Sequence, residues 1–254
     1  MLLLRTLTAL ALGAALATAA WADDDGISPD RPNIANSPDV VGRGTVQIET
    51  GLSGASDDGA HGLALPWLLR IGLSEALELR LDSGGYQRVR QDGITTKGWN
   101  DVGIGFKWHL ADGGGTMPGI GLLGHLSFDT GSGAFRGQGT RPEIDLALHW
   151  DLGGGYDLSV MPGIYQDRND EGRRYTGGVL AASIGKALSD DANAFLEVAG
   201  QRLASARNGG QQVTLDTGIT YRLNKDVQVD AAVFRGLNKD TPDWQWTAGL
   251  SLRW

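Results

Sequence analysis

The chain has 254 residues and a formal net charge of −8, from 30 acidic and 22 basic side chains. This balance argues against a nucleic-acid partner, because binding to a phosphate backbone needs clustered Lys and Arg. The chain has no cysteine, which excludes disulfides and thiol chemistry.

Residues 1–22 have the pattern of a secretory signal peptide. Arg5 supplies one positive charge, an apolar run extends from Leu7 to Ala20, and Ala20-Trp21-Ala22 has the small-x-small form of a cleavage site. The apolar run is shorter than the ~20 residues that span a bilayer as a helix. We therefore expect an exported protein whose signal peptide is removed, with mature parts at residues 23–43 and 44–254.

Residues 23–43 are too polar and too rich in proline and turn residues to form a strand. Two interpretations remain open for this part. It is either a disordered periplasmic tail or a plug that folds into a barrel lumen through Asp30, Arg31 and Asn33. In the second case we expect Arg31 to pair with an inward carboxylate such as Asp82 or Asp101.

The rest of the chain contains twelve segments in which apolar and polar residues alternate, as in strands with one apolar face. Their connections alternate between short turns and longer polar links, including links at Ser53–His61 and Arg88–Lys97. Short periplasmic turns, long external loops and an even strand count are typical of bacterial outer-membrane barrels. The predicted strands are 44–52, 62–73, 77–87, 98–110, 118–129, 141–151, 156–166, 175–187, 193–203, 211–223, 227–236 and 244–254.

The last segment, Trp244 to Trp254, gives the clearest barrel signal. One face carries aromatic residues at both ends and aliphatic residues between them, and the other face carries Gln, Thr, Ser, Gly and Arg. A lipid-facing strand needs this order, because aromatic girdles flank its apolar band. We therefore predict an all-β protein, a single antiparallel transmembrane β-barrel of about twelve strands, whose C-terminal strand engages the outer-membrane assembly machinery.

Charged side chains on the opposite face of the strands define the predicted lumen and solute pathway. If the lumen is filled with water, its acidic excess favours cations or neutral solutes over anions. Alternatively, the charges form cross-strand ion pairs that brace the wall and leave no selective pore. The predicted lumen residues are Glu49, Glu78, Arg80, Asp82, Asp101, Lys107, Glu143, Asp145, Asp216, Arg222 and Asp230.

The sequence gives little support for an enzyme. His125 and Ser127 share a strand face and are the nearest candidate for a nucleophile and its base, but no Gly-x-Ser-x-Gly elbow accompanies them. The spacing of His109, His125 and Asp129 fits no standard zinc pattern. We expect no catalytic residues, no metal site and no cofactor.

The early part of the chain contains Asp30-Arg31-Pro32, a following Ser37-Pro38 and the first-strand sequence Gly44 to Gly51. Through these residues the chain resembles the outer-membrane transporter family of the meta-pathway of phenol degradation. The match extends over residues 30–51, and the glycine-rich strands and the closing aromatic fit it as well. The resemblance implies an outer-membrane barrel for uptake of small, often aromatic or hydrophobic, molecules. It supplies no catalytic residues.

The prediction is an outer-membrane channel or facilitator of a Gram-negative bacterium, for passive uptake of small molecules. The alternatives are a structural or adhesive barrel with a blocked lumen, and a lipid-modifying enzyme. The expected partners are a small solute, outer-membrane lipid and lipopolysaccharide. Arg168, Arg173 and Arg174 form a small basic cluster in an external loop, for which we expect a solvated loop rather than a contact with lipopolysaccharide.

Overall fold

The computed structural model describes residues 26–254, and the predicted signal peptide lies outside them. These residues form one antiparallel sheet in which strands that follow each other along the chain pair, except that β5 pairs with β3 instead of β4. β1 also pairs with β13, which closes the sheet into a barrel. The strands are β1 Val46–Asp57, β2 Ala60–Gly72, β3 Leu77–Gln91, β4 Ile94–Trp99, β5 Val102–Ala111, β6 Gly119–Ser127, β7 Arg141–Gly153, β8 Tyr156–Arg168, β9 Arg174–Ala187, β10 Ala192–Leu203, β11 Gln211–Asn224, β12 Val227–Gly236 and β13 Trp244–Arg253.

The wall has twelve strand positions, because β4 and β5 together occupy one of them. β4 pairs with the C-terminal part of β3, and β5 pairs with the N-terminal part of β3. The predicted strand 98–110 is thus interrupted at Asn100 and Asp101. Asn100 turns to the Gly85 carbonyl, to which its backbone N–H and its side-chain amide both donate hydrogen bonds, at 2.9 and 3.1 Å.

Two connections predicted as long external links are strand extensions joined by tight turns. β1 and β2 meet at Asp58-Gly59, and β3 and β4 meet at Asp92-Gly93. All four turn residues have positive φ, between 39° and 79°. Asp-Gly is the pair that suits a two-residue hairpin turn of this kind, so the sequence signal was present and the predicted loops were too long.

The outer surface of the barrel is apolar in the alternating pattern that the sequence predicts. On β5 the residues Val102, Ile104, Phe106 and Trp108 are 38–48% exposed, whereas Lys107 between them is fully buried. A slip of one residue would exchange these faces. The alternation therefore fixes which side chains enter the lumen.

The buried core lies inside the lumen. Val179 and Leu180 predict opposite faces for β9, and the structure places Val179 inward, where it packs in a cluster with Ala35, Met161 and Tyr165. The only helical elements of residues 26–254 are two single-turn 3-10 helices, Gly133–Phe135 and Ala206–Asn208. No helix in this part of the chain is long and apolar enough to cross a membrane.

The two ends of the barrel differ. One end, here named the terminal end, carries Gly26, Trp254 and the turns after β2, β5, β7, β9 and β11. The connections after β6, β8, β10 and β12, which include both 3-10 helices, lie at the other end, here named the loop end.

Candidate functional site in the barrel lumen

Residues 26–43, here named the inner segment, run through the lumen without forming a strand. The segment starts at the terminal end, where the Ile27 N–H donates to the Lys225 carbonyl at 2.7 Å. It reaches the wall formed by β9 and β10 and returns to β3, where the Val41 N–H donates to Glu78 Oε2 at 2.9 Å. The inner segment therefore crosses the lumen from one side of the wall to the other.

Carboxylates of the wall bind the backbone of the inner segment. The N–H groups of Asp30 and Arg31 donate to Glu49 Oε2, each at 3.1 Å. The N–H groups of Ile34 and Ala35 donate to the two oxygens of Glu197, each at 2.8 Å. A segment without regular structure leaves its backbone N–H groups unpaired, and these glutamates supply the acceptors.

Three cations of the wall surround Asp30. The Arg80 guanidinium and the Lys107 ammonium each donate to its carboxylate at 2.6 Å, and Arg70 lies 3.8 Å away. Burial raises the pKa of the Asp30 carboxyl, but the charges of Arg70, Lys107 and Arg80 outweigh burial and hold the pKa well below its usual range. Asp30 is therefore ionised inside the barrel at neutral pH.

Arg70 joins this group to two wall glutamates. It forms a two-pronged ion pair with Glu78, at 2.8 and 2.9 Å, and a further bond to Glu49 at 3.0 Å. Asp30, Glu49, Glu78, Arg70, Arg80 and Lys107 are here named the six-charge cluster, in which three anions balance three cations. Arg70 was absent from the predicted lumen residues, although a single arginine in the otherwise apolar strand Leu68 to Ile71 was a signal for it.

Arg31 pairs with an inward carboxylate, as expected, but the partner is neither Asp82 nor Asp101. Arg31 instead binds Asp230 at 3.1 Å and the Thr247 hydroxyl at 2.7 Å. The two expected partners are engaged elsewhere, Asp82 by His125 at 2.8 Å and Asp101 by Arg141 at 2.6 Å. The pairing depends on a folded path that brings Arg31 to β12 and β13, which sequence spacing does not reveal.

The inner segment also makes amide and apolar contacts with the lumen wall. The Asn33 side-chain amide donates to the Ser183 hydroxyl at 3.0 Å. Ala35 packs in the buried cluster with Tyr165 and Val179, and Ile34 contacts a second cluster that contains Phe195 and Phe234. The three predicted plug residues, Asp30, Arg31 and Asn33, thus all contact the lumen wall.

The remaining predicted lumen residues lie at different depths of the wall. Glu143 of β7 lies directly across from His125 of β6. Asp145 is the next residue of β7 that faces the lumen. Asp216 is fully buried beside Thr214, whose hydroxyl donates to it at 3.0 Å. Asp101 and Arg222 lie at opposite ends. Asp101 accepts the N–H groups of Gly131 and Gly137 from the connection after β6, and Arg222 binds Asp191 in the turn after β9.

Two cavities in the lumen, formed by residues of the described range 26–254, have volumes of about 310 Å³ each. The terminal cavity lies against the inner segment and is also lined by His149, Asp157 and Ser183. The outer cavity lies towards the loop end and is lined by Arg141, Glu143, Tyr165, Asp167 and Arg202. Both are lined mainly by polar and charged side chains, as an aqueous pathway requires.

His125 and Ser127, the nearest candidates for a base and its nucleophile, do not form a pair. His125 Nε2 binds Asp82 rather than Ser127. His149 Nδ1 instead lies 3.0 Å from the Ser159 hydroxyl on the neighbouring strand. A catalytic triad requires a third group that binds the other nitrogen of the histidine. Within residues 26–254, no hydrogen bond is formed by Nε2 of His149. The same residues contain no group of three or more metal-type side chains that could hold a metal ion.

No curated protein sequence matches this chain. Its fold is similar to that of the COG4313 outer membrane channel from Pseudomonas putida F1, with a TM-score of 0.62 and 12% identity over 88% of this chain and 99% of that one. The KdgM porin has a TM-score of 0.54 and 11% identity, over 81% of this chain and 98% of its own. The NanC porin has a TM-score of 0.51 and 11% identity, over 82% and 98%. These likenesses establish an outer-membrane β-barrel fold.

The family evidence comes from the sequence itself. A model of one family matches residues 29–254, which cover the inner segment from Pro29 onwards and the whole barrel wall. The match agrees with the resemblance carried by Asp30-Arg31-Pro32 and the first strand. The chain therefore belongs to the family described as "Putative MetA-pathway of phenol degradation".

Proposed function

We propose that this protein is a passive channel of the outer membrane for small molecules, and that the inner segment is its constriction. The observation that carries the proposal is the position of the inner segment in the lumen, with a polar cavity of about 310 Å³ beside it and another towards the loop end. A barrel of twelve strand positions is wider than the eight-stranded barrels that side chains alone can fill. The inner segment occupies part of this extra width.

In this proposal, a solute passes when the inner segment shifts from the wall. The contacts that seat it favour a reversible shift. Glu49 and Glu197 are buried and bind backbone N–H groups of the segment, and water that enters as the segment moves can replace these acceptors and donors.

The charges of the lumen wall support a class of solutes. Acidic side chains of the outer half include Asp82, Glu143 and Asp145, so cations and neutral molecules pass more readily than anions. An aromatic solute is supported by the family description and by the edge-to-face pair of Tyr165 and Tyr175, with ring centroids 6.1 Å apart, at the outer cavity.

Swelling of proteoliposomes tests the proposal. We expect the refolded protein to admit small neutral solutes such as glycerol and arabinose and to exclude a trisaccharide, relative to liposomes without protein. A correctly folded barrel that admits none of them would contradict the channel function. It would support the alternative, a structural or adhesive barrel whose lumen the inner segment keeps closed.

A further inference from the structure

An unpaired basic cluster lies on the outside of the barrel near the loop end. Arg88 and Arg90 lie on β3 and Lys97 lies on β4, and all three are exposed. Arg88 and Lys97 are direct cross-strand partners. We name these three residues the rim cluster.

The rim cluster faces away from the lumen. Arg88 lies opposite Leu63 of β2, which is 44% exposed on the lipid-facing surface, and directly opposed residues share a face of the sheet. The other face of the β3–β4 hairpin contacts the connection after β6, because a Cβ at Gly98 would lie 3.0 Å from the Phe135 ring. The rim cluster therefore projects from the outer wall.

Neighbouring aromatic residues locate the rim cluster at the edge of the apolar belt. Tyr86 and Trp99 are also cross-strand partners, each two residues along its strand from Arg88 or Lys97 and nearer the terminal end. Their rings pack edge to face with centroids 5.4 Å apart. Trp99 is 60% exposed. Tyr and Trp mark the interface between the apolar core of a membrane and its headgroups, so the rim cluster lies at headgroup depth.

The rim cluster lacks counter-charges from the protein. Among residues 26–254, no salt bridge or side-chain hydrogen bond is formed by Arg88, Arg90 or Lys97. Like charges directly opposite each other on a sheet are destabilising. An external anion would remove this repulsion, in a chain whose own net charge is −8.

The loop arginines are a poorer site for such an anion. Arg173 pairs with Glu171, Arg168 donates to the Gly172 carbonyl at 2.6 Å, and Arg174 donates to Gln166 at 3.3 Å. These three side chains therefore already have partners in or beside the connection between β8 and β9. The rim cluster has no such internal partners.

We propose that the rim cluster binds the phosphate groups of lipopolysaccharide in the outer leaflet. Guanidinium groups bind phosphate through two parallel hydrogen bonds, and an ammonium adds a point charge. The proposal rests on the placement of the barrel in the outer membrane with its loop end outside. It concerns the outer wall, so it is independent of conduction through the lumen.

Binding of purified lipopolysaccharide to the refolded protein tests the proposal, with the doubly neutralised variant Arg88→Gln/Lys97→Gln. A basic residue near a charged membrane surface contributes about fivefold in binding, so we expect roughly thirtyfold weaker binding for the variant. The matched control is Arg173→Gln/Arg174→Gln, for which we expect a change below about twofold. We also expect wild-type binding to fall in 1 M salt and with lipopolysaccharide stripped of phosphate.

Equal binding by the wild type and the rim variant would overturn the proposal. Equal wild-type binding of intact and phosphate-stripped lipopolysaccharide would also overturn it, because the acyl chains alone would then account for binding. Solute entry in the swelling experiment separates the two proposals. The rim variant should admit solutes at the wild-type rate, since its substitutions lie outside the lumen.

Discussion

Arg70 shows how one side chain can organise the contacts of an unstructured segment. Besides Glu49 and Glu78, its guanidinium donates to the carbonyls of Ser28 and Asp39, at 2.8 and 2.9 Å. It therefore touches the inner segment at two points eleven residues apart in sequence. A rigid planar donor suits this role, because its N–H groups point in fixed directions.

The variant Asp30→Asn tests the six-charge cluster. It keeps the shape of the side chain but leaves three wall cations facing two wall glutamates. Removing one partner from a buried ion-pair group costs about 3–5 kcal/mol, and we expect a loss near this size in the free energy of unfolding, measured with urea in lipid vesicles. The control Asp92→Asn, in an exposed turn, should change stability by less than about 0.5 kcal/mol.

The same comparison has a defined pH dependence. A carboxyl whose pKa is lowered by folding stabilises the folded state above its unfolded pKa, which is about 3.9 for Asp. The contribution is lost as the pH falls through the lower folded pKa. We therefore expect the stability difference between the wild type and Asp30→Asn to be constant from pH 7 to about 5 and to shrink below about pH 4. A difference that is already lost at pH 6 would contradict the assigned role of Asp30.

Glycine at position 249 makes room for Arg31. A Cβ at this position would lie 2.5 Å from Asp230 Oδ2 and closer still to the Arg31 guanidinium. We expect Gly249→Ala to displace Arg31 and to expose residues 26–43 to protease in the folded barrel. The control Ala248→Val lies on the same strand but faces outward, and it should leave cleavage unchanged.

At the scale of the element, the tight turns determine where the strands end. Gly59 has a φ of 79°, and a side chain in this region costs about 1–2 kcal/mol. We expect Gly59→Ala to reduce the free energy of unfolding by about 1 kcal/mol and to speed amide exchange in the β1–β2 hairpin. Gly62→Ala is the matched control, because its Cβ would meet its nearest neighbour at 3.8 Å, an ordinary contact. Equal losses for the two variants would contradict a conformational cause.

The strands were predictable from sequence because the bilayer imposes a simple rule. Lipid contact requires apolar residues at every second position, so β5 and β13 were recognised directly.

The inner segment was less predictable from sequence than the strands. Its path depends on acceptors from β1, β3 and β10, which lie far apart in sequence, so its polarity indicated a plug or a tail but not its contacts. The partner of Arg31 and the central position of Arg70 emerged only from the folded lumen.

At the scale of the whole molecule, the lumen charges predict ion selectivity. The variant Glu143→Gln/Asp145→Asn removes two acidic side chains from the wall, one that lines the outer cavity and one next to it. We expect the permeability ratio of cations to anions to fall roughly twofold or more, measured from the reversal potential in a salt gradient. The control Asp170→Asn/Glu171→Gln removes the same two residue types from an exposed loop. If this control changed selectivity as much as the lumen variant, the outer cavity would not be on the ion pathway.

Single-channel conductance of a reversible disulfide variant tests the central claim most directly. Asn33 and Ser183 are in contact, and the chain has no native cysteine, so Asn33→Cys/Ser183→Cys allows the inner segment to be locked to β9. We predict a conducting wild type, and a variant with low conductance when oxidised that recovers in reductant, while Asn33→Cys alone is insensitive to reductant. Absence of conductance in the folded wild type, or equal conductance of the locked and unlocked variant, would contradict a channel constricted by residues 26–43.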